Sequence, residues 1–293
     1  MKVLHLDSGR EMRGGQWQVL RLIEGLTAAG VESTLLARRA SLLFEMAQRK
    51  GWAVEPLGPA RLMAVAGGHD LIHAHDARTH TLAMLAPGKP LVVSRRVAFP
   101  IRSPWKYRRA RCLIAVSEFV KSVLTQAGMP EEKIEVVYDG VPLLPPARGN
   151  AMLTLANATD PEKGAALAAE AARQAGVPLE FTSHLERDLT RAAMFVYITH
   201  SEGLGSAALL AMSAGVPVIA SKIGGLPEII QHGENGLLVE NSAAAIAEAI
   251  RNLTANPELT VRLGSAARHT VEEKFTADRM VRRTMDVYRR VLS

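Results

Sequence analysis

The chain has 293 residues, 48 % of them hydrophobic, which is enough for two domains that each bury a core. Its single cysteine, Cys112, excludes a disulfide framework and a cysteine-rich zinc site and fits a reducing compartment. The net charge is +6, no apolar run reaches the length of a membrane span, and MKVLHLDSGR lacks the apolar stretch of a signal peptide, so a cytoplasmic protein is expected.

Short apolar strands alternate with longer helical stretches, the pattern of parallel α/β architecture. KVLHLD (2–7) reads as the first strand, and 14–30 as a helix with apolar residues at helical spacing and Gly30 as its stop. Further strands are predicted at 33–38, 70–75, 90–96 and 112–117, then a helix ending at Gly128 and a strand with its turn at 133–141. The stretch 142–150, with three prolines, one glycine and no periodicity, reads as a linker. A second alternation follows: strand 152–157, alanine-rich helix 163–176, strand 178–183, a short helix in LERDLTRAA and strand 194–200. A helix opening at Ser206 and the strand PVIAS come next, then two long helices and a basic amphipathic one closing the chain. The expected architecture is two doubly wound, Rossmann-like domains facing a cleft, over 1–147 and 148–275, with 276–293 packing back toward the first. Ligands of such sheets sit beyond the carboxyl ends of the strands.

Charge is uneven. No acid falls between Asp76 and Glu118, whereas Lys89, Arg95, Arg96, Arg102, Lys106, Arg108, Arg109 and Arg111 do. Trp105 and Tyr107 lie among these cations, an arrangement suited to an anionic membrane surface or a phosphorylated ligand. A solvated helix face with a few structural arginines would read the same way. No nucleic-acid motif is present, and no such partner is expected.

The most informative stretch is SEGLGSAALLAMSAG (201–215), set between the strands MFVYITH and PVIAS and followed by GGLPEII. It reads as a strand end, a glycine-bearing turn, a helix start and a second buried strand. Backbone N–H groups at a helix start favour an anion, and glycines let a ligand approach the main chain. Glu202 beside that positive end offers an acceptor for hydroxyls. An ordinary strand–turn–helix with a surface glutamate fits the spacing equally well, because one Gly-x-Gly turn is weak evidence.

Taken jointly, RGGQWQVLRLIEGL, DLIHAHD, CLIAVSEFVKSVL, KIEVVYDGV, DPEKG, SEGLGSAALLAMSAGVPVIAS, GGLPEII and NGLLV span both halves in one order. In that order the chain resembles retaining glycosyltransferases of the family-4 (group 1) type, built on the two-domain GT-B fold. The resemblance implies transfer of a sugar from a nucleotide-sugar to an acceptor hydroxyl with retention, without a metal or other cofactor, in cell-envelope glycan or lipopolysaccharide synthesis. It assigns the acceptor to the N-terminal domain and the nucleotide-sugar to the C-terminal one. Lys163 matches the lysine that holds the donor diphosphate, and Glu202 the glutamate that contacts the donor sugar; these two are the catalytic candidates. Gly203, Leu204, Gly205 and Ser206 would approach sugar and phosphate through their backbone, and Gly14 and Gly15 match the N-domain glycine loop. His75 and Asp139 are weaker candidates near the cleft, His75 reading equally as a satisfied histidine at its strand end.

Departures from the family pattern are equally specific. Leu210 stands where a second glutamate takes the ribose diol, and a lost charged acceptor costs roughly 1.5–3 kcal/mol per bond. Asn157 stands where an arginine binds the diphosphate; it brings neither charge nor a bidentate fork. Ser94, Arg95 and Arg96 fill the place of a histidine that many members carry in the N-domain, and one of the two arginines is expected to return that charge as a phosphate or acceptor contact. The second domain is also shortened between the alanine-rich helix and the signature strand. Expected partners are the nucleotide-sugar, a glycan or lipid-linked acceptor, and an anionic membrane surface against 95–111, placing the protein peripherally at the inner membrane face. The competing reading is a degenerate, non-catalytic GT-B binding or accessory protein, which Leu210, Asn157 and the trimmed domain favour. A third is a nucleotide-sugar epimerase of similar architecture. A dinucleotide oxidoreductase fits poorly, because no G-x-G-x-x-G follows the first strand.

Overall fold

The computed structural model describes residues 1–101, 103–156 and 164–293. They form two α/β units, Met1–Gly140 with Ala277–Ser293, and Val141–Thr276.

The first unit is built on seven parallel strands: β1 (Lys2–Leu6), β2 (Glu32–Ala37), β3 (Ala53–Pro56), β4 (Leu71–Ala74), β5 (Leu91–Arg95), β6 (Cys112–Ala115) and β7 (Ile134–Val136), in spatial order β3-β2-β1-β4-β5-β6-β7. β1, β4, β5 and β6 read as nearly unbroken apolar runs because parallel strands are buried on both faces. Strand order reverses between β1 and β4, where Leu4 lies opposite Ile72 and His5 opposite His73. Such a reversal opens a crevice beyond the strand ends. The C-terminal helix Ala277–Leu292 packs on the helix Gly14–Ala28. Its Met280, Val281, Val287, Tyr288 and Val291 share one core with Leu22, Leu26, Val92 and Ile114. A Cβ on Gly25 would lie 2.4 Å from Val281 Cγ2, so glycine sets how closely the two helices approach. The sequence pattern gave no signal for β3: four half-buried or exposed residues at a sheet edge, ending in Pro56, need no alternation.

The second unit has five parallel strands, β8 (Ala151–Leu155), β9 (Leu179–Thr182), β10 (Ala192–Tyr197), β11 (Val218–Ser221) and β12 (Leu237–Val239), in order β12-β11-β10-β8-β9. Its reversal falls between β8 and β10. The helices Ala165–Ala175 and Ala243–Ala255 pack together through Ala168, Ala171, Ala172, Ile246, Ala247 and Ile250. The helix Ser206–Ser213 packs on Pro257–Lys274 and is buried from Ala208 to Ser213.

The stretch 142–150 is not a free linker. Val141 N–H donates to Phe275 O (2.9 Å), Ala147 N–H to Ala214 O (2.9 Å) and Arg148 N–H to Thr190 O (2.9 Å). Arg268 Nη1 donates to Leu144 O at 2.6 Å. Prolines remove periodicity, but the remaining amides and carbonyls still find partners, and the unit boundary lies at Gly140/Val141.

Candidate functional site

In the second unit, β10 delivers the chain into the turn 198–205. Ser221 Oγ accepts Thr199 N–H at 2.9 Å and donates to Asn241 Oδ1 at 2.6 Å, while Asn241 Nδ2 donates to Thr199 O at 2.9 Å. Three carboxyl-terminal strand ends are thereby tied together just before Glu202. Glu202 is half-buried; its carboxylate accepts the Tyr197 hydroxyl and, at 3.1 Å, the Gly203 N–H. Burial, and then the Glu202 charge, raise the Tyr197 pKa well above its ordinary value, so the phenol stays protonated and donates.

Two glycines behind the turn fix its position. A Cβ on Gly224, at φ +59°, would stand 2.0 Å from Glu202 O, and one on Gly225 would stand 2.2 Å from Gly203 O. The loop after β11 therefore touches the Glu202 turn backbone to backbone, and Gly225 N–H donates to Glu202 O at 3.2 Å. Gly205, at φ +109°, leads into the helix Ser206–Ser213, and Leu209 N–H makes that helix's first bond to Gly205 O. The amides of Ser206, Ala207 and Ala208 make no hydrogen bond to a described residue. They leave donors at a helix start beside a fixed carboxylate. Leu204 and Leu210 are 2 % and 7 % exposed and belong to the core, so Leu210 presents no polar group. Asn157 and Lys163 lie outside the described residues. Gly164, which follows them, donates its N–H to Ile198 O at 2.9 Å.

The first unit carries a polar seam across its strands. His5, His73 and His75 are buried, with His5 Nδ1 3.0 Å from His75 Nε2. His73 Nδ1 meets Tyr288 Oη at 2.6 Å, and its Nε2 meets Ser94 Oγ at 2.7 Å. Burial holds all three imidazoles neutral, lowering His5 to about 3 and the other two well below the usual range; their neighbours and Arg96 add to the effect. Arg96 Nε donates to Asp139 at 3.2 Å, and its Nη1 lies 3.5 Å from His75 Nδ1. Arg95 faces elsewhere: its Nη1 donates to Tyr107 Oη at 2.8 Å and its Nη2 to Phe99 O. Arg95 is buried and holds that loop through both terminal nitrogens, while its Nε has no hydrogen-bond partner among the described residues.

Gly14 opens the helix Gly14–Ala28, and a Cβ on Gly15 would lie 3.8 Å from Arg96 Cδ, so the glycine loop adjoins Arg96. Two carboxylates pin the segment before it. Asp7 accepts Gly9 N–H at 2.7 Å and Gln16 Nε2 at 3.1 Å, while Asp76 accepts Ser8 N–H at 2.7 Å and caps the helix Ala77–Ala83. Burial raises the Asp7 pKa. The structure thus brings His75, Arg96, Asp139 and Gly15 together in one unit, and Glu202, Gly203, Leu204, Gly205 and Ser206 together in the other.

Sequence reasoning missed Tyr197, Ser221, Asn241, His5 and Asp7, each recruited by a contact across strands or by a strand end. Asp7 alone had a local signal, a carboxylate closing the first strand before a glycine-bearing turn. Among the described residues, one set of metal-ligating side chains lies together: His5, His73 and His75, with ligand atoms within 4.8 Å of one another. The set suits a dication poorly, because both His73 nitrogens are engaged, no carboxylate joins it, and the Arg96 cation adjoins it.

Two family models divide the chain between them: "Glycosyltransferase Family 4" over residues 12–143 and "Glycosyl transferases group 1" over residues 129–270. The chain belongs to the family-4, group-1 glycosyltransferases. Among the relatives of this family, an alpha-maltose-1-phosphate synthase of Mycolicibacterium smegmatis is 34 % identical over 117 residues, covering 38 % of this chain and 30 % of the relative. A D-inositol 3-phosphate glycosyltransferase of Streptomyces coelicolor is 40 % identical over 99 residues, 33 % of this chain and 21 % of the relative. The matched stretch therefore spans under a third of these curated relatives. Among solved structures, HepE of Anabaena in complex with UDP and glucose superposes with a TM-score of 0.89, at 17 % identity and 99 % coverage of both chains. That likeness is one of fold, the GT-B architecture.

Proposed function

We propose that this protein transfers a sugar from a nucleotide-sugar donor to an acceptor hydroxyl, with retention of anomeric configuration, in the assembly of a cell-envelope glycan or lipopolysaccharide. The observation that carries this reading is the fixed Glu202 carboxylate followed by the amides of Ser206–Ala208, which have no partner among the described residues, in a chain of this family. Glu202 supplies acceptors for donor-sugar hydroxyls. As the glycosidic bond breaks, charge collects on the departing diphosphate. Amides at a helix start answer that charge without reorganising, and the family resemblance assigns Lys163 to the same group. Asn157 stands where the family places an arginine for the same group. HepE, with its bound UDP and glucose, makes a uridine diphosphate-sugar the first donor to try. The resemblance to retaining enzymes supports retention.

For the acceptor, the segment 95–111 exposes Val97, Phe99 and Trp105 as well as Arg108, Arg109 and Arg111, residue types that support a lipid-linked glycan met at an anionic membrane surface. Cosedimentation with phosphatidylglycerol vesicles, lost in Trp105→Ser with Arg108→Ser and Arg109→Ser, tests this part. No described helix is long and apolar enough to cross a membrane.

The donor reading is tested by a thermal-shift screen against uridine, guanosine, adenosine and thymidine diphosphates and their sugars, because a ligand of the folded state raises the melting temperature. Nucleotide release by the wild type is then compared with Glu202→Ala; equal background release in both sinks the enzyme reading. One observation favours a second reading, a non-catalytic GT-B binding protein: the apolar, buried Leu210 offers no acceptor where the family places a carboxylate. Binding without transfer to any acceptor is its expected signature.

A further inference from the structure

The contacts behind Arg96 are consistent with one proton order. A guanidinium only donates hydrogen bonds, so its contact at 3.5 Å from Arg96 Nη1 favours His75 Nδ1 as an acceptor. A neutral His75 then carries its proton on Nε2 and donates to His5 Nδ1 at 3.0 Å. His5 in turn carries its proton on Nε2, and that buried atom has no hydrogen-bond partner among the described residues. On its other side Arg96 donates Nε to Asp139, in an ion pair whose side chains are 12 % and 8 % exposed. The remaining nitrogen, Nη2, makes no hydrogen bond to a described residue. Two of the three guanidinium nitrogens face protein partners, and an added Cβ on Gly15 would lie in ordinary contact, 3.8 Å, with Arg96 Cδ.

We propose that Asp139 and His75 are positioning residues: they hold the Arg96 guanidinium in one pose, as the cation with which the first unit meets an anionic oxygen of the substrate. The ligand part rests on the donor reading above, which makes a nucleotide-sugar the anion to try. His75 and Asp139 act through Arg96 and do not touch substrate. The groups facing His75 are His5 from β1, His73 from β4, and Arg96 from the end of β5 with Asp139 behind it; Tyr288 of the C-terminal helix faces His73. A proton added at His75 Nδ1 would set two donors against each other and release Arg96, so the pose is kept while His75 is neutral.

The test uses the full chain labelled with 15N. Imidazole nitrogen shifts give the tautomers, and relaxation of the Arg96 Nε–Hε group reports its order. His75 and His5 are expected as Nε2–H tautomers, with Arg96 ordered in the wild type and mobile in Asp139→Asn and His75→Gln. A His75 carrying its proton on Nδ1, or an Arg96 equally ordered in both folded variants, overturns the proposal. Asp139→Asn leaves a buried charge uncompensated and risks unfolding; Asp139→Asn with Arg96→Gln removes both charges, and the wild-type tautomers need no variant. In titrations with UDP-glucose, Arg96→Ala is expected to weaken binding about tenfold. Asp139→Asn should do much the same alone and nothing further in the Arg96→Ala background; additive losses overturn the positioning role. If the wild type binds none of the nucleotides screened above, the donor reading fails, while the tautomer and relaxation results still decide whether Arg96 is held.

Discussion

Alanine at three glycines of the second unit separates backbone strain from close approach. Gly176, at φ +69° after the helix Ala165–Ala175, has nothing within 4 Å of an added Cβ, so alanine there bears only the left-handed cost, about 1–2 kcal/mol. Gly225 has an ordinary φ of −82°, but its Cβ would stand 2.2 Å from Gly203 O, so alanine there meets only the clash. Overpacking of this kind costs about 1–3 kcal/mol, toward the upper end when the obstacle is backbone. Gly224 combines φ +59° with a Cβ 2.0 Å from Glu202 O, and the two costs together reach about 2–5 kcal/mol. Urea unfolding should therefore rank Gly224→Ala as most destabilised, with midpoints in heat falling by roughly 4 °C per kcal/mol. Because the clash displaces the Glu202 turn, Gly225→Ala should also lose more donor binding than Gly176→Ala at comparable stability. A Gly225→Ala variant that unfolds with the wild-type midpoint refutes the backbone-to-backbone contact on which this reasoning stands.

Tyr197→Phe removes a hydroxyl donated to a carboxylate, so urea unfolding should show a loss of about 1.5–3 kcal/mol, with nucleotide-sugar turnover falling alongside. Leu210→Glu buries a carboxylate in the core and should destabilise by several kcal/mol, whereas Leu210→Met should cost under about 1.5 kcal/mol; equal midpoints for the two would show that the position is open to water. For pH, His5 is held at about 3, His80 at about 4, and His73 and His75 well below the usual range, each chiefly by burial. The unfolded chain takes up these protons as pH falls below about 6.5 and the folded chain does not, so stability should be full above that pH. It should then fall by about 1.4 kcal/mol per pH unit for each histidine still neutral. Urea midpoints from pH 7.5 to 5 measure this, His5→Phe should shed one proton from the slope, and a flat profile contradicts it. Tyr288→Phe leaves His73 Nδ1 without its buried partner and should cost about 1–3 kcal/mol by the same unfolding assay.

The strand and helix alternation was legible because each parallel strand is an apolar run and each helix repeats its apolar face, both local properties of the chain. β3 and the role of 142–150 were not, because an edge strand and a proline-rich segment are held by partners distant in sequence. The same division runs through the candidate site. Glu202, the glycine turn and the helix start could be read off one contiguous stretch, whereas the reason for GGLPEII could not: Gly224 and Gly225 accommodate the backbone of the Glu202 turn, a contact that exists only when β10 and β11 lie side by side. Arg95 and Arg96 are adjacent, identical in type and indistinguishable by spacing. Successive residues at a strand end face opposite ways, which sends one guanidinium to Tyr107 and Phe99 and the other to Asp139 and His75. Sequence by itself determined the two parallel α/β units and the residue types available for binding an anion and hydroxyls, because local pattern and chemistry suffice for both. Only the tertiary structure decided which of those residues remain available, since that depends on the partners each side chain acquires when distant strands meet.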